Sequence, residues 1–136
     1  MPQRTATTEV VNPWSWQDQF GFVQANVVTD GRRVAYCAGQ TSVDADGNPT
    51  HEGDMAAQIQ QAFANLEAVL RGSHMTLADV VRLNYYVTNV DAFFAAGETL
   101  GSLLANAGCR PASTLLGVAR LAFPELLIEL EATAVA

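Results

Sequence analysis

The spacing of hydrophobic residues along the chain predicts two helices. From Asp54 to Leu70 the apolar residues recur every three or four positions, so they share one face of a helix. That face comprises Met55, Ile59, Ala62, Phe63, Leu66, Val69 and Leu70. Asp54 is a favourable N-cap residue, and Gly72 is expected to end the helix. A second amphipathic helix is predicted over 92–107, with Phe93, Leu100, Leu104 and Ala107 inward and Gly108 at its end.

The other apolar segments have the alternation or the β-branched and aromatic composition of strands. They lie at 5–11, 20–28, 33–41, 82–88, 112–121 and 127–135. Asp30–Gly31 separates the second strand from the third and predicts a hairpin turn there. Thr76 is expected to open a short turn before the strand at 82–88.

The resulting order, βββαβαββ, predicts a two-layer α+β fold in which both helices cover one face of a mixed sheet. The closing strands carry apolar side chains in both directions, for example Leu115 beside Leu116 and Leu127 beside Ile128. Because the helices cover only one face, partner subunits would have to cover the other. The pattern therefore predicts an oligomer.

Length and composition indicate one domain, residues 1–136, with 49% hydrophobic residues to build its core. The chain opens without an apolar leader and has no run of the roughly 20 apolar residues that cross a bilayer, so we expect a soluble, cytoplasmic protein without a membrane partner. A net charge of −7 and dispersed arginines disfavour nucleic acid as a partner. All seven basic residues are arginine. The absence of lysine excludes Schiff-base catalysis, a pyridoxal phosphate anchor and a Walker-type phosphate site.

The cysteines and histidines do not form a familiar site. Cys37 lies in an apolar run and is interpreted as a small buried hydrophobe. Cys109 is also interpreted as structural, with the alternative that neighbouring Arg110 lowers the pKa of its thiol. His51 and His74 lie in different loops, so a zinc site would lack its usual ligands, and no metal is expected.

Two carboxylates in the last strand are the candidates for chemistry. Glu129 and Glu131 are two residues apart, so in a strand they point to the same face. Isolated buried carboxylates are costly and need partners or a wet cleft. One interpretation is an edge strand whose carboxylates face water, and the other is that at least one lines a functional cleft. In a desolvated cleft, glutamate is a usual general acid or base.

Three segments carry a resemblance to a known family. The closing stretch RPASTLLGVARLAFPELLIELEATAVA, the strand YCAGQTSVDADG and the segment MAAQIQQAFANLEAVLRGSHMTLADVVRLNYYVTNV occur in the family's order. Together they cover roughly residues 20–136 and resemble the signatures of the RidA (reactive intermediate deaminase, or YjgF) family. The resemblance implies a chorismate-mutase-like fold, a homotrimer with small-molecule clefts between subunits, and hydrolysis of reactive enamines and imines without a metal or organic cofactor.

The resemblance also assigns site residues, with departures. Family members hold the substrate carboxylate with an arginine early in the penultimate strand, and this position aligns with Ser113, so the chain resembles the arginine-lacking branches. Arg110 lies three residues earlier, in the loop or on the opposite side of the strand, and is kept as a candidate ligand-binding residue that would have to reach round to the cleft. A family tyrosine aligns with Phe22, and the glutamate that handles protons or water aligns with Glu129.

These departures leave two functions open. One is a deaminase acting on enamines or imines other than the standard ones derived from amino acids, with Glu129 handling protons. The alternative is a trimer that binds a small metabolite or a protein without turnover. An endoribonuclease activity, attached to some relatives, is disfavoured by the acidic charge. Trp14 and Trp16 either help to build the pocket or pack on the core, and packing is commoner.

Overall fold

The computed structural model describes residues 6–136. Seven strands and three α-helices follow in the order β1 Thr7–Val11, β2 Ala25–Thr29, β3 Val34–Tyr36, β4 Gln40–Thr41, α1 Met55–Gly72, β5 Val80–Val87, α2 Val90–Ala95, α3 Gly97–Ala107, β6 Ala112–Gly117 and β7 Ile128–Val135. Short 3₁₀ turns lie at Trp16–Phe20 and Leu77–Asp79. The predicted first strand, 5–11, starts at Thr7, and residue 5 lies outside the described residues.

The main sheet is mixed and has β7 near its centre. Its strands run in the order β3-β7-β5-β6, and β4 also pairs with β7. β5 and β6 are parallel, whereas the partners of β7 are antiparallel to it. β7 is therefore not an edge strand, so the interpretation of its glutamates is wrong about the edge, although Glu131 is exposed to water.

The helices cover one face of this sheet, as predicted, and the two-layer α+β fold is confirmed. Alternate residues of the central strands point into the core, where Leu83 and Tyr85 of β5 meet Leu130 of β7 and Phe63 of α1. Burying these side chains contributes roughly 1.5–3 kcal/mol each to the free energy of folding. Among the described residues, no helix is long and apolar enough to span a bilayer.

The opposite face of the sheet is more polar than the sequence pattern predicts. Tyr86 and Asn84 donate hydrogen bonds to Glu131 Oε1 at 2.7 and 3.3 Å, and Arg82 donates one to Thr114. Leu116 is 49% exposed beside Tyr86, but β7 contributes glutamate and threonine rather than apolar side chains. The prediction of an apolar second face was wrong for β5 and β7, because polar residues alternate with core residues from Arg82 onward in β5 and along most of β7.

The helix boundaries depart slightly from prediction. Asp54 caps α1 by accepting the backbone N–H of Ala57 at 3.1 Å, as expected. The left-handed residue after the helix is His74 (φ 59°) rather than Gly72, and Val69 is 39% exposed rather than inward. The second predicted helix is broken at Ala96, which separates α2 from α3.

The predicted hairpin at Asp30–Gly31 does not form between described strands. Asp30 does adopt a left-handed turn conformation (φ 60°), but β2 pairs with β1 and β3 pairs with β7. The segment predicted as one strand, 33–41, is interrupted after Tyr36 and resumes at Gln40. In that gap a Cβ on Gly39 would overlap the Glu129 carboxylate. Glycine at this position therefore leaves room for the Glu129 side chain in the position that it occupies.

Candidate functional site

A cavity of about 850 Å³ lies beside the β6 edge of the main sheet. Its walls come from three separate parts of the chain. The first wall is the loop that includes the first 3₁₀ turn, with residues between Trp16 and Val23. The second wall is formed by the two shorter helices, which contribute Phe93, Phe94, Gly97, Leu100, Gly101, Leu104 and Ala105. The third wall is formed by the sheet and the approach to β6, which contribute Tyr85, Gly108, Cys109, Arg110, Ser113 and Leu115. This volume is within the range of roughly 300–1,000 Å³ that is typical of small-molecule sites.

The loop wall is held in place by polar contacts. Gln17 is fully buried and donates from Nε2 to the carbonyl of Trp14 at 2.9 Å. Gly21 follows the 3₁₀ turn in a left-handed conformation (φ 75°), which glycine adopts without strain. Val23 N–H then donates to the Pro111 carbonyl at 2.9 Å and joins the loop to the start of β6. These contacts fix the direction in which Phe20 and Phe22 point.

Six aromatic side chains surround the cavity: Trp16, Phe20, Phe22, Tyr85, Phe93 and Phe94. Trp16 and Phe22 meet edge to face with ring centroids 5.9 Å apart, and Phe20 lies 6.0 Å from Phe94 across the opening. Trp16, Phe20 and Phe94 are each 45–55% exposed and form the mouth. Trp16 therefore helps to build the cavity and does not pack on the core. Trp14 is 60% exposed and lies outside the cavity lining.

The inner end of the cavity is buried and uncharged. Burial raises the pKa of the Tyr85 hydroxyl, an effect that neighbouring Cys109 increases and Ser113 opposes. Burial also raises the pKa of the Cys109 thiol to about 12, so the alternative that Arg110 lowers this pKa is wrong. Cys109 is 3% exposed, and a thiol that is buried and neutral is a poor nucleophile.

Three of the four predicted site residues lie together in this cavity. Phe22, Arg110 and Ser113 all line it. Ser113 Oγ is buried, and no described group forms a hydrogen bond of normal geometry with it. Arg110 is exposed in the segment before β6, which is the loop position that the sequence left open, and it lines the same cavity as Ser113. The charged residues that line the cavity are Asp18 and Arg110, and both are exposed.

Glu129, the fourth predicted residue, lies on the other face of the sheet. It is opposite Tyr86 in β5 and opposite Thr41 in β4, while the neighbouring residues Ile128 and Leu130 point into the core. Glu131 shares its face, as predicted. Hydrogen bonds from Tyr86 and Asn84, together with the charge of Arg82, lower the pKa of the Glu131 carboxyl. Glu129 and Ser113 of one chain therefore do not face the same space.

The sequence reasoning missed the helical contribution to the cavity. Gly97 and Gly101 of α3 line it, as does Phe94 at the end of α2. The available signal was a pair of glycines four residues apart inside an amphipathic helix, where glycine is a poor helix former. The aromatic residues of the loop indicated the site less strongly, because residues in a loop do not follow the regular spacing that identifies one face of a helix or strand.

The fold and the cavity together define a class of small α+β protein with a ligand-sized site at the edge of a mixed sheet. Comparison with known proteins gives the family. The family described as Endoribonuclease L-PSP matches residues 19–136. The chain therefore belongs to this family, which is the RidA/YjgF family expected from the sequence.

Two solved structures and one curated relative illustrate the similarity. A Rid-family protein of unknown function from Yersinia pestis is 38% identical, with a TM-score of 0.83, and the alignment covers 98% of this chain and all of the other. A YjgF/YER057c/UK114 family member from Mycobacterium tuberculosis is 30% identical, with a TM-score of 0.62, over 96% of this chain and 100% of the other. The 2-iminobutanoate/2-iminopropanoate deaminase of Dermatophagoides farinae is 30% identical over 88 residues, which are 65% of this chain and 67% of the mite protein.

Proposed function

We propose that this protein is a homotrimeric, cofactor-independent hydrolase of enamines or imines that lack a carboxylate. The observation that carries the proposal is the composition of the cavity. Ser113 lies at the inner end of the cavity, at the position where active members of the family are expected to have an arginine. The charged lining residues, Asp18 and Arg110, are both exposed. The deaminase name of a mite relative supports the reaction class.

The absence of an arginine at position 113 determines which substrates the inner end of the cavity favours, since Arg110 lies at an exposed part of the lining. A carboxylate that leaves water needs charge-assisted hydrogen bonds, which arginine supplies in pairs and serine does not. The six surrounding aromatic side chains cannot replace those bonds, because their faces carry partial negative charge. An uncharged substrate avoids this desolvation penalty.

Hydrolysis of an imine needs proton transfers at two atoms. Water adds to the C=N carbon and loses a proton, the nitrogen gains protons, and the C–N bond of the resulting carbinolamine breaks to release ammonia and a carbonyl compound. We assign the proton transfers to Glu129, since a positioned carboxyl group can donate and accept. Because Glu129 faces away from the cavity of its own chain, this role requires the Glu129 of a neighbouring subunit to approach that cavity.

The second candidate function is a trimer that binds a small metabolite without turnover. Its support is the chemical inertness of the inner cavity, where Cys109 is buried with a raised pKa and the phenol of Tyr85 is held neutral. The endoribonuclease named in the family description has less support, because the net charge of −7 repels a polyanion.

The test measures ammonia release from freshly generated imines of acetone, cyclohexanone and pyruvate. The proposed hydrolase accelerates release from the uncharged imines and acts weakly on 2-iminopropionate. The binding function predicts no acceleration with any of the three. Light scattering coupled to size exclusion tests the assembly, for which we expect the mass of three chains. A stable monomer with full activity would contradict the role given to Glu129 of a neighbouring subunit.

A further inference from the structure

The glycines of α3 leave space that the chain itself does not fill. Gly97 and Gly101 are one helical turn apart and both line the cavity. Both are exposed, and a Cβ added to either would meet no described atom within 4 Å apart from its chain neighbours and the backbone of its own helix. Gly101 lies inside α3, where glycine is the poorest helix former after proline, and packing within the chain does not explain its use there. Both positions therefore widen the cavity, and Gly101 does so at the expense of helix stability.

The same space is bordered by rings at its opening. Phe94 lies at the end of α2, one turn before Gly97, and its ring is 51% exposed. Phe20 faces Phe94 from the loop, and Trp16 borders the same mouth. Large exposed aromatic side chains grouped around a concave apolar site are typical of ligand contacts, because water solvates them poorly and they stack on planar groups.

Charge and depth limit the occupant further. The cavity reaches inward to Tyr85 and Leu104, which are 5% and 3% exposed, so a ligand that fills it loses most of its water. The exposed charges at the lining, one from Asp18 and one from Arg110, have opposite signs and give no net preference for an anion. The walls thus offer aromatic faces, aliphatic side chains and helical backbone.

We propose that the cavity takes a substrate whose imine or enamine carbon bears an aryl or arylmethyl group, with the ring placed against Gly97 and Gly101 and beneath Phe20 and Phe94. This substrate class rests on the proposed function. The cavity walls account for the aryl ring, whereas the imine group follows from the proposed hydrolase activity. Trp16, Phe20 and Phe94 act as specificity residues, and the two glycines set the width available to the ring.

The competing occupant of a glycine-lined helix surface is a helix or loop of a neighbouring subunit. Small residues one turn apart also allow close backbone approach between helices. The aryl ligand is favoured because the space continues past α3 to the sheet at Ser113 and Leu115, and its mouth carries three rings. A packed helix would cover the rim without reaching that inner end.

The test uses the full chain and the ketones that such imines would release. Calorimetric titration compares 1-phenylpropan-2-one with propanone and with 1-cyclohexylpropan-2-one. We expect the phenyl ketone to bind at least about tenfold more tightly than propanone, and more tightly than its cyclohexyl analogue. Gly101→Leu should weaken binding of the phenyl ketone by about tenfold or more, because its side chain enters the space used by the ring. Gly72→Leu is the matched control, since Gly72 is also helical, is exposed and does not line the cavity.

Three results are decisive. Equal affinity for phenyl ketone and propanone, or an unchanged affinity in Gly101→Leu, overturns the aryl assignment. Dissociation of the oligomer by Gly101→Leu and not by Gly72→Leu, measured by light scattering, assigns the space to a neighbouring subunit instead. Ammonia release from the imines of the same ketones is measured in parallel. Accelerated ammonia release without a preference for aryl groups would support the hydrolase activity and refute the aryl specificity. Binding of the aryl ketone without accelerated ammonia release would refute the hydrolase activity and support the aryl ligand class.

Discussion

Gly39→Ala tests whether the position of the Glu129 carboxylate matters. Gly39 lies in the gap between β3 and β4, and an added Cβ would overlap Glu129 Oε2. Gly39 is not among the residues with positive φ, so its backbone accepts alanine without strain. The clash is with the end of a flexible side chain, and Glu129 can turn away to relieve it.

The effect on stability should be small. Replacing glycine by alanine in a compatible conformation stabilises a protein by about 0.4–1 kcal/mol, because the unfolded chain loses freedom. Forcing a side chain out of its preferred rotamer costs about 0.5–1.5 kcal/mol. The two contributions nearly cancel, so we expect the free energy of unfolding to change by less than about 1 kcal/mol. For a chain of 136 residues this is a shift in Tm of no more than about 5 °C.

The effect on turnover should be large. A positioned general acid or base contributes about 10²–10⁴-fold to rate, and moving the carboxylate removes much of that contribution. Gly39→Ala is therefore expected to lower kcat by about 10²-fold, measured as ammonia release from the best uncharged imine. The double variant Gly39→Ala/Glu129→Gln should be no slower than Glu129→Gln alone, because both changes remove one interaction. Wild-type turnover in Gly39→Ala, or additive losses in the double variant, would refute this reasoning.

Three further predictions concern the sites on either side of the sheet. Ser113→Arg should raise the rate with 2-iminopropionate at least about tenfold, because the guanidinium restores charge-assisted bonds to the carboxylate; an unchanged rate in a folded variant would show that Ser113 is not where carboxylates bind. Glu129→Gln should reduce turnover much more than Glu131→Gln, while the Tm and the oligomer mass of both stay near wild type; equal losses would remove the distinction between the two carboxylates. Because the pKa of Cys109 is raised from 9.0 to about 12 on folding, its contribution to stability is present below pH 9 and is lost as the pH rises toward 12. Chemical unfolding across this window should show a shallower decline with pH in Cys109→Ala than in wild type, and parallel declines would contradict the burial of the thiol.

Local patterns predicted the elements and the fold class well. The residues Ile59, Phe63 and Leu66 share one face by spacing alone, and all three are fully buried in α1. The alternation of core and polar residues in β5 and β7 follows equally from local sequence. Glu129 and Glu131 were placed on one face correctly for this reason.

Features that depend on distant partners were not predictable in the same way. Asp30–Gly31 turns the chain, but the choice of β7 rather than β2 as the partner of β3 depends on which pairing buries more surface in the whole fold. The cavity was missed as a unit because its walls come from the loop at 16–23, from α2 and α3, and from the approach to β6. The two glycines of α3 were a signal in one wall, but only the juxtaposition of all three walls makes a site.

The central place of β7 has a consequence for how the chain is made. β3, β4 and β5 all pair with this strand, which follows the other described strands in the sequence. Tyr36 pairs with Thr133, so β3 emerges from the ribosome long before its partner exists. Until Ile128–Val135 has been synthesised, β3 and β5 present unpaired backbone edges to other nascent chains. Synthesis thus passes through an interval of aggregation risk that ends only when the final strand inserts between strands already made.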